Sequence, residues 1–229
     1  MMTIFITVFS FFVTIFCYYL SKWLYKKKNI VLFTPLLFAP LLLLLIIYGL
    51  NISYSHYIYD SKWLLWMLGP ATIAFAVPVY ENRHIVVKHW LSLSVGVFTA
   101  VVVGVGSSVL LAKLFQLPEL LQRSLSVRSI TTPFAIEASK LVGGKPDLTA
   151  LFVVITGVIG ILIGDLILSF FSIKTSIAKG AGLAGSSHGA GTAQAYKIDS
   201  EAGVVASLVM LFAGVGTISL APLIAIIFW

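Results

Sequence analysis

A chain of 229 residues that is 59% hydrophobic and only 10% charged, with mean hydropathy +1.05, is excluded from the water-soluble globular domains, which carry about 25% charged residues. The formal net charge of +7 does not point to nucleic acid. The lysines and arginines are spread among loops instead of gathering into one basic, aromatic-interleaved surface. What remains is an all-α, polytopic integral membrane protein with about seven to eight membrane segments, each near the length that crosses the hydrocarbon core.

In chain order, apolar spans are expected at residues 3–23, 30–50, 62–80, 91–114, 148–171 and 202–229. The first has no positive n-region and no small-residue cleavage site, so it reads as a retained helix. Its single cysteine, Cys17, allows no intrachain disulfide and reads as small apolar filler. Lys22, Lys26, Lys27 and Lys28 follow it, which by the positive-inside rule places them in the cytoplasm and the N-terminus outside. The loop at 51–61 lacks lysine and arginine, as an external loop should, and 81–88 with Arg83 and Lys88 returns inside. Beyond Lys113 basic residues fall on both sides, and the rule stops discriminating. No repeat of 20 to 50 residues is evident.

Two stretches, 120–142 and 178–196, break the oily pattern with Gly, Pro, Ser, Thr and charge. Residues 180–191, GAGLAGSSHGAG, hold five glycines, two serines and a histidine. Lipid cannot solvate loose backbone, so irregular chain at membrane depth survives only where protein buries it or it lines a wet cavity. Both stretches are expected to cross as discontinuous helices or to dip in and return, facing one another so that helix ends offer partial charges to a substrate. Residues 1–90 then form a scaffold and 91–229 a glycine-rich core.

The first stretch suits an anion. Arg128 carries five donors in a fixed fork, Ser126, Ser129, Thr131 and Thr132 surround it with hydroxyls, and Pro133 frees a backbone carbonyl upstream. An interfacial arginine reaching lipid phosphates is the alternative, and it stays open. In the second stretch Ser187, His188, Gly189, Gly191 and Thr192 form the candidate contact set. His188 either touches substrate, with a proton-linked role, or hydrogen-bonds across a close helix contact. Asp165 is the acidic residue deep in an apolar span, so it should be paired, protonated or turned to a cavity; it is the second proton-linked candidate. Glu137 reads as a partner of Lys140. Gly157, Gly160 and Gly164 share one helix face and fit either internal packing or a partner helix.

Enzyme chemistry finds no support: there is no His-Glu-x-x-His set, no Gly-x-Ser-x-Gly elbow and no phosphate loop. No metal or cofactor is expected.

Residues 68–80 (LGPATIAFAVPVY), 129–135 (SITTPFA), the turn at 143–146, Gly157, Gly160 and Gly164, and above all 178–195 (AKGAGLAGSSHGAGTAQA) resemble the LrgB/CidB family of bacterial membrane proteins. The resemblance runs from about Leu68 to the C-terminus. It implies a small holin-like partner of the LrgA/CidA type, and two competing functions. One is control of murein hydrolase export, autolysis and programmed cell death; the other is carriage of small monocarboxylates such as glycolate, glycerate or pyruvate. Its motif positions fall on Ser129, Thr131, Thr132, Pro133, His188, Gly189, Gly191 and Thr192. Asp165 stands where relatives often have proline, and Gln194 where many have arginine. The implied setting is a bacterial cell membrane, with a lipid bilayer and a small carboxylate as partners; assembly with copies of itself is left open.

Overall fold

The computed structural model describes every residue except Met1, Asn29 and Phe75. The described chain is helical and divides into two compact units, Met1–Thr72 and Ile73–Trp229. Among the described residues four helices are long and apolar enough to cross a membrane by length and composition: Val8–Lys28 within the first helix, then Trp90–Leu114, Pro146–Phe170 and Ser200–Phe228.

In the first unit, α1 (Met2–Lys28) packs against α2 (Pro35–Gly49) and α3 (Tyr54–Trp66). Small residues at helical spacing, Ser10, Thr14, Cys17 and Ser21, supply the seam of α1, and Cys17 is buried there as a filler. The expected span at 62–80 is not one helix. The chain there is α3, α4 (Leu68–Ala74) and α5 (Ala76–Glu81). Pro70 and Pro78 explain the breaks: each falls in the first turn of a new helix, where a missing N–H leaves no hydrogen bond unmade. The expected loops at 51–61 and 81–88 are likewise helical for much of their length, in α3 and in α6 (Arg83–Lys88).

The second unit alternates long helices with helical hairpins. Helix α7 (Trp90–Leu114) runs from a proximal to a distal end, and α8 (Glu119–Ser126) and α9 (Thr132–Leu141) follow it. The base of this pair is closed at the distal end: Arg123 Nη1 donates to Val142 O at 2.7 Å, and Lys145 N to Ser124 Oγ at 2.9 Å. α8 and α9 therefore enter and return at one end, with residues 127–131 as the tip. Gly143, at φ 72°, turns the chain out of α9 in a Schellman close, Gly144 N donating to Ser139 O at 2.8 Å. Helix α10 (Pro146–Phe170) then runs back to the proximal end.

The glycine-rich segment α11 (Ser176–Ile198) makes a second hairpin. Ser176 Oγ donates to Asp199 Oδ2 at 2.9 Å, whereas a continuous helix would hold those residues about 34 Å apart. The break is at His188, whose φ 43° and ψ −125° lie in a region that L residues rarely adopt. The two halves, 176–187 and 189–198, lie so close that a Cβ on Gly191 would collide with the Leu183 carbonyl. At about 1.5 Å per residue the first half is about 18 Å long, past the middle of a 30 Å hydrocarbon layer. Both irregular stretches are thus broken helices, and both dip in and return.

Helix α12 (Ser200–Phe228) runs from the proximal to the distal end through the middle of this unit, with Val205, Leu208, Val209, Thr217 and Ala221 wholly buried. Asp199 caps it, accepting from Ala202 N at 2.7 Å. That backbone N–H first, and the Ser176 hydroxyl second, hold the Asp199 carboxyl below its ordinary range. A lowered folded-state value gives stability that is present above the unfolded value and lost as pH falls through the folded one. Thermal unfolding in detergent should therefore show the wild-type midpoint dropping on acidification more steeply than that of Asp199→Asn, which keeps an acceptor but does not titrate.

Helix plus hairpin occurs twice, in opposite senses. Gly104 and Gly160 each lie 14 residues after the first residue of their helices, Trp90 and Pro146. Gly104 receives Ser129 of the first tip, and Gly160 receives Ser187 of the second. The sequence does not mark this inverted relation, because the two stretches differ in composition, 180–191 being glycine-rich and 124–135 not.

Candidate functional site

One cavity of about 460 Å³ lies between the first tip, α7 and the first half of α11. Arg128 and Ser129 reach it from the first tip and Gly182, Gly185 and Ser186 from the first half of α11. Helix α7 completes the wall with Gly96, Thr99, Ala100, Val103, Gly104 and Ser107. Small residues dominate because the helices approach closely: a Cβ on Gly185 would stand 3.0 Å from Ala100 Cβ, and one on Gly96 3.5 Å from Ala181 Cβ.

Among the described residues that line this wall, Arg128 is the cationic one. Its Nη1 donates to Thr156 Oγ1 at 2.9 Å, and the rest of its donor fork is available to the cavity. Ser186 Oγ donates to Gly182 O at 2.8 Å, leaving lone pairs as acceptors, with Ser187 Oγ 3.2 Å from it. One guanidinium among hydroxyls, beside apolar surface, can hold a small anion with a short organic tail.

The other expected residues stand nearby without lining the cavity. Thr131, Thr132 and Pro133 form the start of α9, Thr131 as its N-cap residue and Pro133 in the first turn. Ser187 is buried against Gly160. The His188 ring is buried, with Nε2 at 3.0 Å from Val153 O, which ties the second tip to α10. Thr192 Oγ1 donates to His188 O at 2.9 Å, and Gly191 packs on Leu183 O. Gly189 is exposed, with Met210 Sδ 3.9 Å from a built Cβ as its nearest neighbour. Asp165 pairs with Gln194, whose Nε2 donates to Oδ2 at 2.6 Å on an exposed face. Glu137 and Lys140 form the expected ion pair at 2.7 Å. Gly160 and Gly164 are used inside the unit, against Ser187 and Leu183, which answers the choice between internal packing and a partner helix at those two positions.

Sequence reasoning passed over α7 as a plain span. The available signal was the spacing of Gly96, Ala100, Gly104 and Ser107, which puts small and hydroxyl residues on one helical face. Thr156 was passed over as well. Among the described residues no cluster of three or more His, Cys, Asp or Glu side chains is placed to hold a metal.

Long apolar helices joined by two broken hairpins, with Arg128 of the first and the first half of the second on one cavity wall, define a multi-pass membrane protein of inverted-hairpin architecture. Residues 14–227 match the model of the LrgB-like family, and the chain belongs to that family, which is not one of enzymes. Its relatives include the uncharacterized protein YwbG of Bacillus subtilis, 35% identical over 218 residues, covering 95% of this chain and 97% of the relative. The holin-like protein CidB of Staphylococcus aureus is 31% identical over 212 residues, covering 93% of each chain, and CidB of Staphylococcus epidermidis matches to the same extent. No solved structure matches.

Proposed function

We propose that the protein is a carrier of small monocarboxylates, of the pyruvate, lactate and glycolate class, in the bacterial cell membrane. The observation that supports this best is Arg128, presented to a cavity of about 460 Å³ between two broken hairpins. Interrupted helices are a recurrent way to build a transport site, because their free ends supply partial charges and polar backbone away from water. Arg128 and Ser129 hold the carboxylate in this reading, and Thr131, Thr132 and Pro133 shape the tip that carries them. Ser187, His188, Gly189, Gly191 and Thr192 shape the opposing tip. The N-terminus lies outside, and a small holin-like membrane protein of the LrgA/CidA type is the working partner, through which transport would bear on autolysis and programmed cell death. A proton-linked role would fall on His188 or Asp165.

The test is uptake of radiolabelled pyruvate, lactate and glycolate into proteoliposomes, with and without an imposed pH gradient, for this protein alone and with a holin-like partner. Saturable uptake supports the carrier. A second reading, a modulator of murein hydrolase export that moves no solute, is favoured by the holin-like name of the CidB relatives. Correctly inserted protein that moves none of these acids, even with its partner, selects that reading.

A further inference from the structure

We propose that Thr156 is a positioning residue that aims the Arg128 guanidinium into the cavity and so sets the affinity for the carboxylate; this rests on the carrier reading above. Thr156 lies on α10, buried, and is not itself part of the cavity wall. Its hydroxyl has one proton, and that proton is committed: Oγ1 donates to Phe152 O, one turn back, at 2.7 Å. Only lone pairs are left to face Arg128, whose Nη1 donates to Oγ1 at 2.9 Å. The polarity of the pair is therefore fixed, with threonine as acceptor and arginine as donor.

Two consequences follow from the geometry. A long arginine side chain holds its plane only when part of its fork is anchored, and the Thr156 hydroxyl anchors one end of it while the cavity takes the rest. The bond also joins the first hairpin tip to a helix of the second inverted copy. The other bonds between that hairpin and α10, from Thr149 to Ser124 O at 3.0 Å and between Ser139 and Thr149 at 2.7 Å, lie at the hairpin base. At the tip, orientation depends on Thr156.

The experiment measures initial rates of radiolabelled pyruvate, lactate and glycolate uptake in proteoliposomes at matched amounts of inserted protein, for wild type, Thr156→Val, Thr156→Ser and Arg128→Ala. Valine keeps the shape and removes the acceptor; serine keeps the acceptor and removes the methyl group. The expected result is a KM raised about tenfold in Thr156→Val, the effect of losing one hydrogen bond to a charged group, with the maximal rate within about twofold of wild type. Thr156→Ser should restore KM to within about twofold. If valine does not insert, Thr156→Cys takes its place as the weaker acceptor, with the same KM criterion. Unchanged KM in the valine or cysteine variant, alongside abolished uptake in Arg128→Ala, overturns the positioning role and leaves the carrier reading standing. A fall in maximal rate shared equally by valine and serine, with KM unchanged, also overturns it, by marking a packing role. Normal uptake in Arg128→Ala is a separate failure, of the carboxylate site itself.

Discussion

Arg128→Ala should abolish saturable monocarboxylate uptake while leaving the protein inserted and at least as heat-stable as wild type. Each hydrogen bond from a charged donor to a carboxylate is worth about 1.5–3 kcal/mol, and removing one partner of a desolvated pair leaves the other charge uncompensated at a cost of about 3–5 kcal/mol. Either figure predicts a loss of about tenfold to several thousandfold in apparent affinity. The structural cost is small by comparison. Among the described residues the Arg128 side chain gives one hydrogen bond, to Thr156, and Thr156 keeps its own bond to Phe152 O when the arginine is gone. Taking a charge out of a membrane interior also removes an insertion penalty of about 2.5–3.5 kcal/mol. Arg128→Lys should fall between wild type and alanine, because an ammonium keeps the charge and loses the fork. A thermal midpoint that collapses together with uptake would instead assign the arginine to folding.

Gly191→Ala should unseat the second hairpin, with a large fall in thermal stability and loss of uptake, whereas Gly189→Ala should be tolerated. The two positions lie two residues apart in the same half-helix and receive the same methyl group, so intrinsic helix preference does not separate them. Surroundings do. A Cβ at Gly191 meets the carbonyl of Leu183, a backbone atom of the other half of the hairpin that cannot rotate away. At Gly189 the nearest atom is Met210 Sδ at 3.9 Å, an ordinary contact with a flexible side chain. Overpacking of this kind costs about 1–3 kcal/mol and sometimes more. Here it falls on the seam that lets the segment fold back. Thermal unfolding of both variants in one detergent, read beside their uptake, checks the contrast, and equal midpoints would remove the hairpin seam as the reason for Gly191.

The glycine at 191 also illustrates how much of the site is legible before folding. That residues 180–191 could not form an ordinary spanning helix follows from composition alone, and so does the interruption near Pro133. The direction in which the chain leaves His188 is different: a through-going broken helix and a hairpin have the same local sequence requirements. The choice is made by Ser176 meeting Asp199 and by Gly191 meeting Leu183, contacts between residues that no short window contains. His188 itself has two outlets for its ring by sequence, a substrate or a neighbouring helix, and in the folded chain the ring lies against Val153 O.

Membrane insertion, helical class and the position of the irregular stretches were determined by the sequence by itself. These depend on run length, composition and the chemistry of single side chains, which are local properties. The hairpins, their inverted relation, the α7 wall of the cavity and the service of Thr156 to Arg128 were decided only by the tertiary structure. The physical reason is that apolar membrane helices carry little amphipathic pattern to mark which face turns inward, so their partners are chosen by close packing of small residues brought together from distant parts of the chain.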